Sequence, residues 1–117
     1  MVWTLSQVAL GGAIGACVRF MAMSAAGAGA PLATLLVNVA GCFAMGLLCV
    51  TLATRFSPLL VTGLLGGFTT FSAFSLDALK LWEAGQIGAA ALYVGSSVLL
   101  SLLAVGLGAA IAREIFA

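Results

Sequence analysis

The most unusual chemistry in this chain lies in a run of ten residues, Gly66-Gly67-Phe68-Thr69-Thr70-Phe71-Ser72-Ala73-Phe74-Ser75. Two adjacent glycines followed by two β-branched threonines disfavour an uninterrupted helix. Phe68, Phe71 and Phe74 recur at every third position, which gathers ring edges, the positive rim of the aromatic quadrupole, along one short stretch. Tyr93, Ser97 and Ser101 are spaced i, i+4, i+8 and make one polar stripe along a helix. Thr34 and Asn38 stand one turn apart on another. Together these residues offer hydroxyls, an amide and ring edges, a set that suits a small anion better than a cation. Each also has a plainer reading. Asn38 alone would serve as a clasp between helices, each serine as a bond back to its own helix, and the phenylalanines as packing.

The elements that must position these groups are membrane spans. Of 117 residues, 64% are hydrophobic and 6% charged, with four Lys/Arg, three Asp/Glu and no histidine. Mean hydropathy is +1.32. A soluble domain carries about 25% charged residues, so this chain cannot clothe a water-facing surface. Soluble enzymes and nucleic-acid binders are excluded, and the missing histidine removes the usual zinc ligand and neutral-pH base. The chain is read as one unit, 1–117, and as no enzyme.

A spanning helix takes roughly 20 apolar residues. The charges at Arg19, Arg55, Lys80 with Glu83, and Arg113 with Glu114 punctuate four such spans, at about 4–24, 32–54, 58–81 and 87–111. The first connection is Gly27 to Ala30, with Pro31 opening the second span. The next is Arg55 to Ser57, where Ser57 is positioned to cap and Pro58 to take the first helical position. The third is Lys80 to Gln86. Cys17, Cys42 and Cys49 fall inside spans and read as packing residues. No carboxylate lies within the first, second or fourth span, and Asp77 and Glu83 lie toward the end of the third.

The third span is expected to break near its middle, in the stretch of Gly66-Gly67 and Thr69-Thr70. An unwound stretch survives in lipid only where it lines a cavity, contacts protein or holds an ion. Basic residues divide evenly, Arg55 and Arg113 on one side and Lys80 and Arg19 on the other. With no bias to read, insertion in both orientations is expected, giving an antiparallel dimer. Small pairs such as Gly11 with Gly15 and Ala40 with Ala44, and Gly95, Gly106 and Gly108, fit close helix association.

At these residues the sequence resembles the Fluc/CrcB-like family of small fluoride ion channels. The resemblance covers essentially the whole chain. It includes Gly11-Gly12-Ala13-Ile14-Gly15-Ala16 leading to Arg19, Thr34-Leu35-Leu36-Val37-Asn38 followed by Gly41, the glycine–threonine–phenylalanine run, and the tyrosine–serine stripe. It implies an all-α, dual-topology antiparallel homodimer in the plasma membrane, the bacterial inner membrane, passively exporting fluoride to relieve its toxicity. On that resemblance Asn38, Thr34, Phe71, Phe74, Tyr93, Ser97 and Ser101 line the fluoride pathway and Arg19 serves a vestibule. Backbone carbonyls of Gly66 and Thr69 would hold a structural sodium ion, not transported, at the dimer axis. The rivals are a small proton-coupled multidrug or guanidinium exporter, which needs an acid in the first span where residues 4–24 have none, and a non-transporting scaffold.

Overall fold

Small residues decide which helices touch. The computed structural model describes residues 1–26, 30–51 and 56–116, and those residues are helical over most of their length. Helix α1 is Val2–Ala25 and α2 is Ala30–Thr51. A segment wound in wider π-type turns, Pro58–Leu65, runs directly into a single turn, α3, Gly66–Phe68. Helix α4 is Phe71–Glu83 and α5 is Ile87–Phe116. Four stretches are long and apolar enough to cross a membrane: Val2–Ala25, Pro31–Thr51, Pro58–Glu83 and Ile87–Phe116. Their large side chains, among them Leu92, Leu99 and Leu103, face outward, as expected where lipid replaces water as the solvent.

Within the chain the helices associate in two pairs. Gly11 and Gly15 of α1 lie so close to the π segment that a β-carbon on either would overlap a backbone carbonyl, that of Leu59 or of Leu64. Gly46 of α2 and Gly108 of α5 are pressed equally hard against Val105 and Phe43. Close backbone approach through small residues is the usual currency of membrane helix packing. It redirects part of the sequence reading: Gly11, Gly15 and Gly108 are consumed inside the chain, whereas Gly95 and Gly106 face open space.

Several boundaries shift. The third span continues to Glu83 and ends in a Schellman turn. There Gly85, at φ 78°, donates to the Trp82 carbonyl and Gln86 to that of Leu81. Lys80 therefore lies in the last helical turn, where its charge complements the helix dipole, and the connection shrinks to three residues, 84–86. The last helix runs on to Phe116, past Arg113 and Glu114. Ser57 adopts helical dihedrals and makes no capping hydrogen bond, although Pro58 does begin the segment. Arg55 and Gly27 to Gly29 lie outside the described residues.

Candidate functional site

The third span breaks at Thr69 and Thr70, both in extended conformation (φ/ψ −81°/153° and −147°/118°). The glycines just before them stay helical. Gly67 instead provides room for α1, since a β-carbon there would sit 2.7 Å from the Gly12 carbonyl oxygen. The β-branched pair, not the glycine pair, is where the helix opens.

Opening a helix inside a membrane strands backbone polar groups, and several of these are met by identifiable partners. Asn38 on α2 holds Thr70 from both sides. Its Oδ1 accepts from the Thr70 amide at 2.7 Å and its Nδ2 donates to the Thr70 carbonyl at 2.9 Å. The Thr70 hydroxyl accepts from the Ala73 amide at 3.1 Å and so caps α4. The Thr69 amide and hydroxyl both donate to the Leu65 carbonyl, each at 3.0 Å. In a continuous helix the Thr70 amide would serve the Gly66 carbonyl, and the Ala73 amide that of Thr69. Both donors are taken elsewhere, which leaves those two carbonyl oxygens without their helical partners.

Beside the break lies a cavity of about 240 Å³, with Asn38, Thr70, Phe71, Phe74, Ser97 and Ser101 on its walls. Phe74 is buried and Phe71 is 77% exposed, and their ring centroids are 5.4 Å apart at 57°. Phe68 parts from them, because the break turns it toward α2, against Gly41. Ser97 is 7% exposed, and its hydroxyl is the one buried side-chain polar atom without a hydrogen-bond partner among the described residues. Asn38 uses one of its two N–H donors on Thr70 and has a second to offer.

Thr34 and Tyr93 are not on these walls. Each sits one turn from a wall residue, Thr34 from Asn38 on α2 and Tyr93 from Ser97 on α5, and both donate to the same oxygen of Asp77. The distances are 2.7 Å from the threonine hydroxyl and 3.1 Å from the tyrosine. Thr34 is fully buried and Asp77 is 7% exposed. The Phe74 ring, on the cavity wall, lies 5.2 Å from the Tyr93 ring at an interplanar angle of 47°. Sequence reasoning missed Asp77 by placing it near a helix end. With the span running to Glu83, the carboxylate stands well inside the helix, and its spacing from Thr70 and Phe74 (i, i+4, i+7) puts it on the cavity face.

Two donors on one carboxylate oxygen make Asp77 the knot that ties α2, α4 and α5 together. Thr34→Val removes a hydrogen bond at full burial and leaves its acceptor with one donor fewer, and is expected to cost about 1–3 kcal/mol. Ser75→Ala removes only an exposed bond to its own helix, at the Phe71 carbonyl, and should stay within about 0.5 kcal/mol. Denaturant unfolding of the two variants in one detergent checks the contrast, and equal midpoints would count against the knot.

Arg19 is apart from all of this. It lines a separate open pocket of about 310 Å³ with Phe20, Met23 and Ser24. Nor do the described residues gather three His, Cys, Asp or Glu side chains into a metal centre.

Comparison with known proteins supplies the family. The model of the family described as CrcB-like protein, Camphor Resistance (CrcB), matches residues 6–109. A protein of Paracoccus denitrificans named fluoride-specific ion channel FluC is 53% identical over 124 aligned residues, covering the whole of both chains. A protein of the same name from Cereibacter sphaeroides is 53% identical and covers 97% of each chain. Another, from Agrobacterium fabrum, is 44% identical over 96% of this chain. With four membrane-length helices and relatives matching end to end, this multi-pass membrane protein belongs to the CrcB-like family.

Proposed function

We propose that this chain is one subunit of a fluoride channel that lets fluoride leave the cytoplasm passively across the bacterial inner membrane. The single observation that carries the reading is the buried, unpartnered hydroxyl of Ser97, a residue that lines the cavity beside the break. A donor held at that depth without a partner is costly unless something fills the place. Fluoride is small and strongly hydrated, so its dehydration must be offset by donors at close range, each moderate enough to release it. Ser97, Ser101, the second N–H of Asn38 and the edges of Phe71 and Phe74 are such donors. Thr34 and Tyr93 contribute from behind, by holding Asp77, and Arg19 raises anion concentration at an entrance. The names of the relatives support the same ion.

The channel works as an antiparallel homodimer inserted in both orientations, as the even division of basic residues suggests. The freed carbonyls of Gly66 and Thr69 suit a hard, weakly demanding cation such as sodium, which takes oxygen ligands. Two oxygens are too few for a shell, so the same pair from a second copy completes it. Sodium would supply positive charge and a fixed bridge between subunits, and would take no part in conduction. Asp77 provides a titratable group at depth, which an exporter would use. Its ties to Thr34 and Tyr93, and the absence of an acid from residues 4–24, favour the channel.

Efflux from liposomes loaded with fluoride or chloride tests the proposal. The expected result is rapid fluoride release with chloride retained and with no dependence on a proton gradient. Retention of both ions, with proton-driven uptake of an organic cation, would establish the exporter instead.

A further inference from the structure

Pro58–Leu65, the first half of the broken span, is wound in π-type turns, where an amide pairs with the carbonyl five residues back instead of four. At its end the Gly66 amide reaches the Val61 carbonyl in this way and shares its proton with the Gly63 carbonyl. Every five-residue step that fits between Pro58 and Gly66 passes over one position, Thr62. Pro58 to Gly63, Leu59 to Leu64, Leu60 to Leu65 and Val61 to Gly66 all do so. Without Thr62 each of these pairs would stand four apart, the spacing of an α-helix. Thr62 is itself exposed, whereas Gly63 and Leu65 are buried. The packing of α1 uses the same step. A β-carbon on Gly11 would overlap the Leu59 carbonyl oxygen and lie 2.8 Å from the Leu64 amide nitrogen, the two ends of one five-residue step. Beyond position 62 the chain is fastened separately: Leu64 against Gly15, Gly67 against Gly12, Phe68 against Gly41, and Thr70 by Asn38.

We propose that Thr62 is a surplus residue looped into an otherwise α-helical half-span, and that the wide winding around it is a slack joint isolating the break from displacement at the Pro58 end. A continuous α-helix would carry any shift or rotation of Pro58 through to Gly66 as a rod does. The wide winding instead tightens to α-helix by yielding its one extra residue, so a shift of one position is taken up before Gly63. The fastenings beyond position 62 then hold their places, and with them the Gly66 and Thr69 carbonyls and the grip of Asn38 on Thr70. The inference rests on the channel reading only for its flux readout, and the pairing argument stands without it.

The experiment deletes Thr62 from the full-length protein and compares it with the parent and with a protein lacking Leu36. Leu36 is 54% exposed and lies on α2 between Thr34 and Asn38, so both deletions remove an exposed side chain from a span. Only the first has slack to draw on. Removing Leu36 turns Thr34 by about 100° away from the face that carries Asn38. Denaturant unfolding in one detergent and fluoride efflux from liposomes are read for all three. The Thr62 deletion should unfold at or above the parent's midpoint and release fluoride within about threefold of the parent rate, the range of a surface change. The Leu36 deletion should unfold earlier and fall to the background of protein-free liposomes. A Thr62 deletion as damaged as the Leu36 deletion overturns the proposal, and so does parent-like behaviour in both. A Thr62 deletion that folds like the parent but releases no fluoride refutes the isolation of the break. Absence of efflux from the parent would sink the channel reading instead, and the unfolding midpoints alone would then decide the joint.

Discussion

Replacing Asn38 with alanine is expected to cut fluoride efflux at least about tenfold and to cost roughly 2–5 kcal/mol of stability, because it strands two backbone groups at once. The Thr70 amide and carbonyl both depend on the Asn38 carboxamide, and Thr70 is 6% exposed, so water is poorly placed to substitute. Asn38→Asp separates the two contributions. It keeps an oxygen to accept from the Thr70 amide, loses the donor to the carbonyl, and adds negative charge to the wall of the proposed anion pathway. It should therefore unfold later than Asn38→Ala yet conduct no better. Efflux traces paired with unfolding midpoints read both effects. Wild-type flux and stability in Asn38→Ala would mean that something else holds the break open.

The clasp to Thr70 and the proposed place in the anion path together account for the two readings that Asn38 allowed in the sequence. A clasp between helices and a donor in an anion path are distinct roles only when the polar group has a single bond to give. An amide has four hydrogen-bonding positions, and here two of them fasten Thr70 on a residue that also lines the cavity. The spans themselves were legible because apolar length is a property of the chain alone. So was the stripe of Ser97 and Ser101, which depends only on helical period. The break was legible in kind but was placed at the glycines as well as the threonines. Glycine tolerates both unwinding and close approach, and the sequence does not say which one a neighbouring helix will demand. Gly67 met the second demand, from Gly12.

Asp77 was obscured for a related reason. A carboxylate six residues before Glu83 reads as interfacial when the helix is thought to end near Lys80, and as buried once the helix reaches Glu83. Its two donors come from Thr34, on α2, and Tyr93, on α5, and no local pattern joins 34, 77 and 93. What sequence could have offered was the general expense of an acid inside a membrane span, which marks such a residue for attention wherever the span is drawn.

Gly15→Ala is the second substitution with a large expected effect, and it acts through the scaffold. A β-carbon at Gly15 would overlap the Leu64 carbonyl oxygen and lie 2.9 Å from the Phe68 amide nitrogen. Neither is the free end of a flexible side chain, so α1 and the first half of the broken span must separate. Overpacking of this kind typically costs about 1–3 kcal/mol, and a backbone-on-backbone clash belongs at the upper end. Part of it is offset by the better helix propensity of alanine, worth up to about 1 kcal/mol. Gly88→Ala isolates that offset, since nothing lies within 4 Å of the added carbon, and it should leave stability unchanged or slightly raised. The separation in Gly15→Ala would be felt at Phe68 and hence at Thr69, one residue from the Asn38 clasp. Efflux should therefore fall along with the unfolding midpoint. If Gly15→Ala unfolds with Gly88→Ala and conducts normally, then α1 does not set the position of the break. The site would instead be held by α2, α4 and α5 through Asn38 and Asp77 alone.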